Sequence, residues 1–177
     1  DRAERLIAGG GTPLYLRGGV APVLHWLGSL PHTTFDDNPS LLVTYAVAST
    51  VAGHQIVDVE GRLQAAEIAL RDTGTPHLLG QIAAVRGMLA VPRGEIEAML
   101  AQSHLALELL HPDSISMRLF ALWTKGLAHQ QLGDSEAARQ VYAEIVATSE
   151  TTGNTMMHLA ALTNLGQLQE EDKKLHQ

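Results

Sequence analysis

Apolar residues between Ser116 and Gly153 recur at intervals of three and four, over two stretches parted by a short break. The first stretch carries Met117, Phe120, Ala121, Trp123 (or Leu122), Leu127 and Ala128, and the second Ala137, Ala138, Val141, Tyr142, Ile145 and Val146. Side chains at this spacing share one helix face, so each stretch predicts an amphipathic helix rather than a strand. The break, Leu132-Gly133-Asp134, supplies both ends. Gly takes the left-handed conformation that closes a helix, and Asp134 or Ser135 caps the next. The product is a helical hairpin. Small Gly126 opposite small Ala138 lets its two helices cross closely, with Tyr142 filling the space one turn on.

The frame recurs along the chain. Gly11, Gly87, Gly126 and Gly166, with Ala46 in the vacant slot, are separated by steps of 35, 41, 39 and 40 residues. A second set, Gly18, Gly53, Gly94 and Gly133, follows seven residues behind. A fixed period of this size is the mark of stacked helical hairpins. The unit around Gly126 resembles a tetratricopeptide repeat in Gly126, Gly133-Asp134, Ala138 and Tyr142. It departs from that pattern at His129, where an aromatic is usual, and in lacking a closing Pro. Gly87, Gly94 and Ala106 echo the frame, as do Ala46, Gly53 and the run Leu63 to Leu70. The expected fold is all-α: a tetratricopeptide-like α-solenoid of antiparallel helical hairpins, with eight to nine helices.

One helical-repeat domain is expected over residues 1–177, about four hairpins plus a C-terminal half-repeat from Thr155 to Gln169. In that half-repeat Met156, Met157, Leu159, Leu162 and Leu165 have no second helix to cover them. The bare half-repeat, the absent initial Met and the charged helical ending Gln169 to Lys174 predict a piece of a larger protein, and also possible self-association. Pro13, Pro31, Pro39, Pro76, Pro92 and Pro112 mark helix boundaries. Residues 31–39 read as the longest irregular loop, with Asn38 capping the helix that Pro39 opens. Trp26, flanked by Leu24, Leu27 and Leu30, is expected to be buried between the first hairpins.

Composition narrows the function. An apolar share of 45% over 177 residues is enough for a sizeable core. A net charge of −7 with no basic stripe argues against direct nucleic-acid contact. The chain has no cysteine, which excludes disulfides and thiolate metal sites. No run is long and apolar enough for a membrane span and no signal peptide opens the chain, so a cytoplasmic location is expected.

Candidate chemistry is thin. Gly9-Gly10-Gly11 is not followed by the Lys-Ser or Lys-Thr of a phosphate loop. The nine histidines are scattered, with no pair spaced for a helical zinc site, and Asp36-Asp37-Asn38 lacks the spacing of a calcium loop. Ser103 and His104 are sequence neighbours that point different ways on a helix. No catalytic constellation, metal site or cofactor site follows, and the chain is not expected to be an enzyme. The repeat frame does place Gln81, Phe120, Trp123, Gln130, Gln131, Thr163 and Gln167 on one side of the first helices of their hairpins. That side lines the concave face of tetratricopeptide-like solenoids. Aromatic walls with amide side chains suit a polar small molecule or a peptide, against the alternative of an ordinary wet surface.

The chain resembles a known family over essentially its whole length, beginning with its N-terminal third. Leu16-Arg17-Gly18-Gly19-Val20, Leu24-His25-Trp26-Leu27-Gly28-Ser29-Leu30-Pro31 and Asn38-Pro39-Ser40-Leu41-Leu42 are similar to the start of the helical-repeat region in MalT-like regulators of the LuxR family. Tyr45-Ala46-Val47-Ala48, Ala52-Gly53 and Gln64-Ala65-Ala66-Glu67 fit the same layout. The resemblance implies an ATP-dependent transcription activator built of a nucleotide-binding domain, a superhelical sensor region and a helix-turn-helix domain. This chain would be part of the sensor region, which binds a small-molecule inducer or a regulatory protein and controls self-association. ATP and DNA would be bound by the other domains. A generic tetratricopeptide-like scaffold docking a protein or peptide partner stays open as the alternative.

Overall fold

Nine helices, and no strand, occur among the residues that the computed structural model describes: 19–36, 38–54, 56–70 and 75–175. Gly9, Gly10, Gly11, Pro13, Leu16, Arg17, Gly18, Asp37 and His176 lie outside them. The helices are α1 (Val20–Gly28), α2 (His32–Asp36), α3 (Pro39–Val51), α4 (Ile56–Leu70), α5 (Pro76–Ala90), α6 (Ile96–Leu109), α7 (Ile115–Gln131), α8 (Ser135–Thr152) and α9 (Thr155–Leu175). Helices α3–α4, α5–α6 and α7–α8 pack as hairpins, and α9 lies on α8 and α7. The fold is an all-α, tetratricopeptide-like solenoid.

The second glycine set closes the inner helices. Gly53, Gly94 and Gly133 adopt φ of 73°, 65° and 77°, a region closed to most side chains. At each, the following N–H reaches back five residues: His54 to Ser49, Glu95 to Ala90, Asp134 to His129. These are Schellman ends, which satisfy carbonyls that a bare helix terminus would leave without partners. Asp134, not Ser135, then caps α8 by accepting from the Ala137 N–H at 3.2 Å. The same device joins α8 to α9, where Gly153 has φ 69° and Asn154 accepts from the Met157 N–H.

The first set marks close crossings. A Cβ at Gly126 would stand 2.5 Å from Cε1 of Tyr142, so the ring lies on the glycine itself rather than one turn on. Tyr142 is fully buried, and its hydroxyl donates to Gln130 Oε1 at 3.1 Å. At Gly87 a Cβ would meet Thr124 Cγ2 at 3.3 Å. The outer helices repeat their own buried register: Val59, Leu63, Ala66 and Leu70 on α4; Met99, Ser103 and Ala106 on α6, with Leu110 just past its end; Ala138, Tyr142, Ile145 and Ser149 on α8. Helix α1 buries Val23 and Leu27 at the same four-residue spacing and packs on α3, as an outer helix does.

Three local expectations are corrected. Residues 31–39 are not wholly irregular, because Phe35 buries its ring beside Tyr45, centroids 6.0 Å apart, and draws α2 into a helical turn. Asn38 precedes α3 but makes no side-chain cap; its Nδ2 donates backward to the Thr34 carbonyl at 3.0 Å. Trp26 is half-buried at the edge of the α1 stripe, while its neighbour Leu27 is fully buried at the centre.

Polar ties link successive hairpins. Arg86 on α5 pairs with Glu60 and Glu67 of α4 at 3.0 and 2.9 Å, and Arg139 on α8 pairs with Asp172 of α9 at 2.8 Å. Arg118 on α7 donates to the Leu107 and Leu110 carbonyls, which closes the free end of α6.

Candidate binding surface

Helices α3, α5, α7 and α9 touch one another in series, while α4, α6 and α8 pack chiefly onto that row. Close contact on one side and splay on the other curve a solenoid, so the first row lines its inner face. Relative to the buried Ala46, Gly87 and Gly126, the inner-face positions are occupied by Val43 and Val47 on α3, Ala84 and Met88 on α5, and Trp123 and Leu127 on α7. Val43, Val47 and Ala84 are buried, Met88, Trp123 and Leu127 are half-buried, and Thr163 and Gln167 of α9 are exposed. The face is closed and apolar near α3 and opens toward α9.

The structure brings three of the seven candidate residues together at that open end. Trp123 Nε1 donates to Asn164 Oδ1 at 3.1 Å, and Asn164 Nδ2 donates to Gln167 Oε1 at 3.4 Å. Thr163 lies beside this ladder, its hydroxyl donating to the Leu159 carbonyl and keeping lone pairs for another donor. Phe120 is only 5% exposed and belongs to the core, so the groove has one aromatic wall, Trp123. Gln130 is engaged by the Tyr142 hydroxyl as a packing residue, and Gln131 is exposed beside it. Gln81 sits near the opposite end of its helix, α5, about 15 Å along the helix axes from the level of Gln130, at ~1.5 Å per residue.

Asn164 was not singled out from the sequence. It stands one residue after Thr163, on the turn facing α7, and is almost buried at 9% exposure. A polar residue two positions before the repeat glycine is the signal, since the same slot holds Thr124 before Gly126.

Gln81 takes part in a different cluster. Its amide lies 2.9 Å from His77 Nε2. His77 Nδ1 accepts from the His111 backbone N–H at 3.3 Å and lies 3.5 Å from the Ser114 hydroxyl. The α6–α7 linker is pressed against α5 here, where a Cβ at Gly80 would come 2.9 Å from the Leu110 nitrogen. Burial, with neighbouring His111 adding to it, holds the His77 pKa below its ordinary value. Among the described residues no group of three or more His, Asp or Glu could hold a metal ion, and no helix is long and apolar enough to cross a membrane.

The repeat geometry and the inner face have a counterpart among known families. The family model of the MalT-like TPR region matches residues 80–177, more than half of the 177-residue chain. The chain belongs to the MalT-like TPR family. No curated protein and no solved structure matches it. The match begins inside α5 and runs through the two hairpins with the clearest repeat pattern and on through α9, so the family region contains the Trp123–Asn164–Gln167 ladder.

Proposed function

We propose that this chain is a ligand- or partner-sensing and oligomerisation region of a MalT-like, LuxR-family transcription regulator, acting in the cytoplasm by binding rather than catalysis. The observation that carries the sensing part is the Trp123–Asn164–Gln167 ladder, which sets an aromatic ring and amides at the open end of the inner face. Such a surface suits an uncharged polar small molecule or a short peptide: the ring covers apolar edges while the amides fix orientation. Trp123, Thr163 and Gln167 would make the contacts. Gln131, exposed at the end of α7, would extend the surface, whereas Gln130 is engaged by Tyr142 and Gln81 belongs to the His77 cluster. ATP and DNA would be handled by other domains of the regulator, consistent with a net charge of −7 and with the lack of a phosphate loop in this chain.

The test uses intrinsic fluorescence. In a Trp26→Phe background the signal comes from Trp123 alone, and a library of neutral oligomeric and peptide ligands is titrated against it. A saturable change that Gln167→Ala weakens without moving the denaturation midpoint supports the reading. Binding that Gln167→Ala and Thr163→Ala leave untouched places the contact off the inner face.

A further inference from the structure

A polar layer crosses the core where α5, α6 and α7 meet. Thr124 and Ser103 are fully buried there. A Cβ at Gly87 would stand 3.3 Å from Thr124 Cγ2, 3.6 Å from Gln102 Cβ and 3.9 Å from the Ser103 nitrogen, so the three helices converge on that glycine. One turn to one side, Ala83, Ala106 and Ala121 belong to the main core. One turn to the other, Ala90, Met99 and Ala128 form an apolar cluster of their own. Between the two, Thr124 Oγ1 and Gln102 Oε1 are buried, and among the described residues neither has a hydrogen-bond partner. Other helical threonines, Thr44, Thr50 and Thr163, donate to the carbonyl four residues back. Thr124 makes no such bond and sets its methyl against Gly87.

The next crossing along the chain is filled by a phenol. Tyr142 stands nine residues after Gly133, lies on Gly126 and donates its hydroxyl to Gln130. Nine residues after Gly94 stands Ser103, whose hydroxyl is turned to its own helix and donates to the Leu100 carbonyl at 3.0 Å. We propose that a single water molecule is held at the Gly87 crossing, accepting from the Thr124 hydroxyl and donating to Gln102 Oε1, and that it ties α6 to α7 there. Leaving two buried oxygens unpaired costs more than immobilising one water between them. The chemistry selects water. One hydroxyl and one amide oxygen are too few for Ca2+ or Mg2+, which take about six or more oxygens. An anion would meet the lone pairs of Gln102 Oε1, and an apolar guest would leave both groups unpaired. A molecule that both accepts and donates pairs both at once. Thr124 and Gln102 approach within 4 Å of one point, a spacing that suits the smallest such molecule.

Nuclear magnetic resonance of the intact, isotope-labelled chain tests this directly. Magnetisation transferred from water should reach the methyl group of Thr124, although that residue is fully buried. The Thr124 hydroxyl can relay the same transfer, so Gln102→Met is the control. It keeps the hydroxyl and removes the acceptor of the water, and the cross-peak should be lost. No transfer in the wild type overturns the proposal, as does a cross-peak that Gln102→Met leaves unchanged. Denaturation midpoints give a second reading. With the water in place, Thr124→Val and Gln102→Met each strand a buried group and should lower the thermal midpoint by about 2–4 °C. The double variant, apolar at both positions, should return toward the wild type. Dry oxygens predict the opposite sign: each single variant would remove an unpaired group and raise the midpoint, and that result sinks the proposal.

Discussion

Two glycines at the same repeat position have opposite surroundings, and the contrast is measurable. Alanine at residue 126 would set a Cβ 2.5 Å from the Tyr142 ring, which is fully buried and held by Gln130 through its hydroxyl. The ring has no free direction to move, so Gly126→Ala should destabilise the fold by about 1–3 kcal/mol, the usual cost of overpacking. At residue 166 the new methyl meets nothing within 4 Å. Gly166→Ala then only removes the entropy penalty of a helical glycine, which stabilises by roughly 0.5–1 kcal/mol. Urea denaturation of the two variants should move the midpoint in opposite directions. An unmoved midpoint for Gly126→Ala would show that Tyr142 is not fixed over α7. Chain position alone does not separate these glycines; what each faces does.

Between elements, His77 is the pin that holds the α6–α7 linker to α5. It accepts the His111 N–H only while Nδ1 is unprotonated, and the nearby titratable groups are His111 itself and Asp113, which lie 3.3 Å from each other. The folded pKa of His77 is lowered by burial and then by His111, so the fold favours the neutral ring. Its stabilising contribution is complete above the ordinary histidine pKa of about 6.5 and is lost as pH falls through the lower folded value. The midpoint of the wild type should therefore decline below about pH 6.5 more steeply than that of His77→Gln. Parallel curves for the two proteins would remove His77 from the linkage. This cluster was invisible in the chain because His77 and His111 are 34 positions apart, whereas the hairpins were plain. Gly133-Asp134 and the three-four spacing around it are local signals, and local signals set helix ends. Asn38 and Phe35 show the limit: α2 forms because a ring finds Tyr45 across a loop, and Asn38 turns back to that helix instead of capping α3. The inner face was legible as a side of the helices. Its use was not, because Phe120 and Trp123 are three residues apart and only packing makes the first core and the second surface.

For the molecule as a whole, a solenoid has no single centre, and its stability is a sum over neighbouring helices. Helices α6 and α7 are each packed between an earlier and a later helix, with Met99, Ser103 and Ala106 buried on one and Leu119, Phe120 and Thr124 on the other. Helix α1 packs on α3 alone to any extent, and α9 leaves Met156, Leu159 and Leu162 exposed. Opening free energies should therefore be graded along the chain rather than uniform. In native-state hydrogen exchange the slowest amides should lie in α6 and α7, with faster exchange in α1 and in the last turns of α9. Equal protection from α1 through α9 would mean that the helices unfold as one cooperative unit, contrary to the nearest-neighbour stacking that the repeated glycines and the repeated buried register describe.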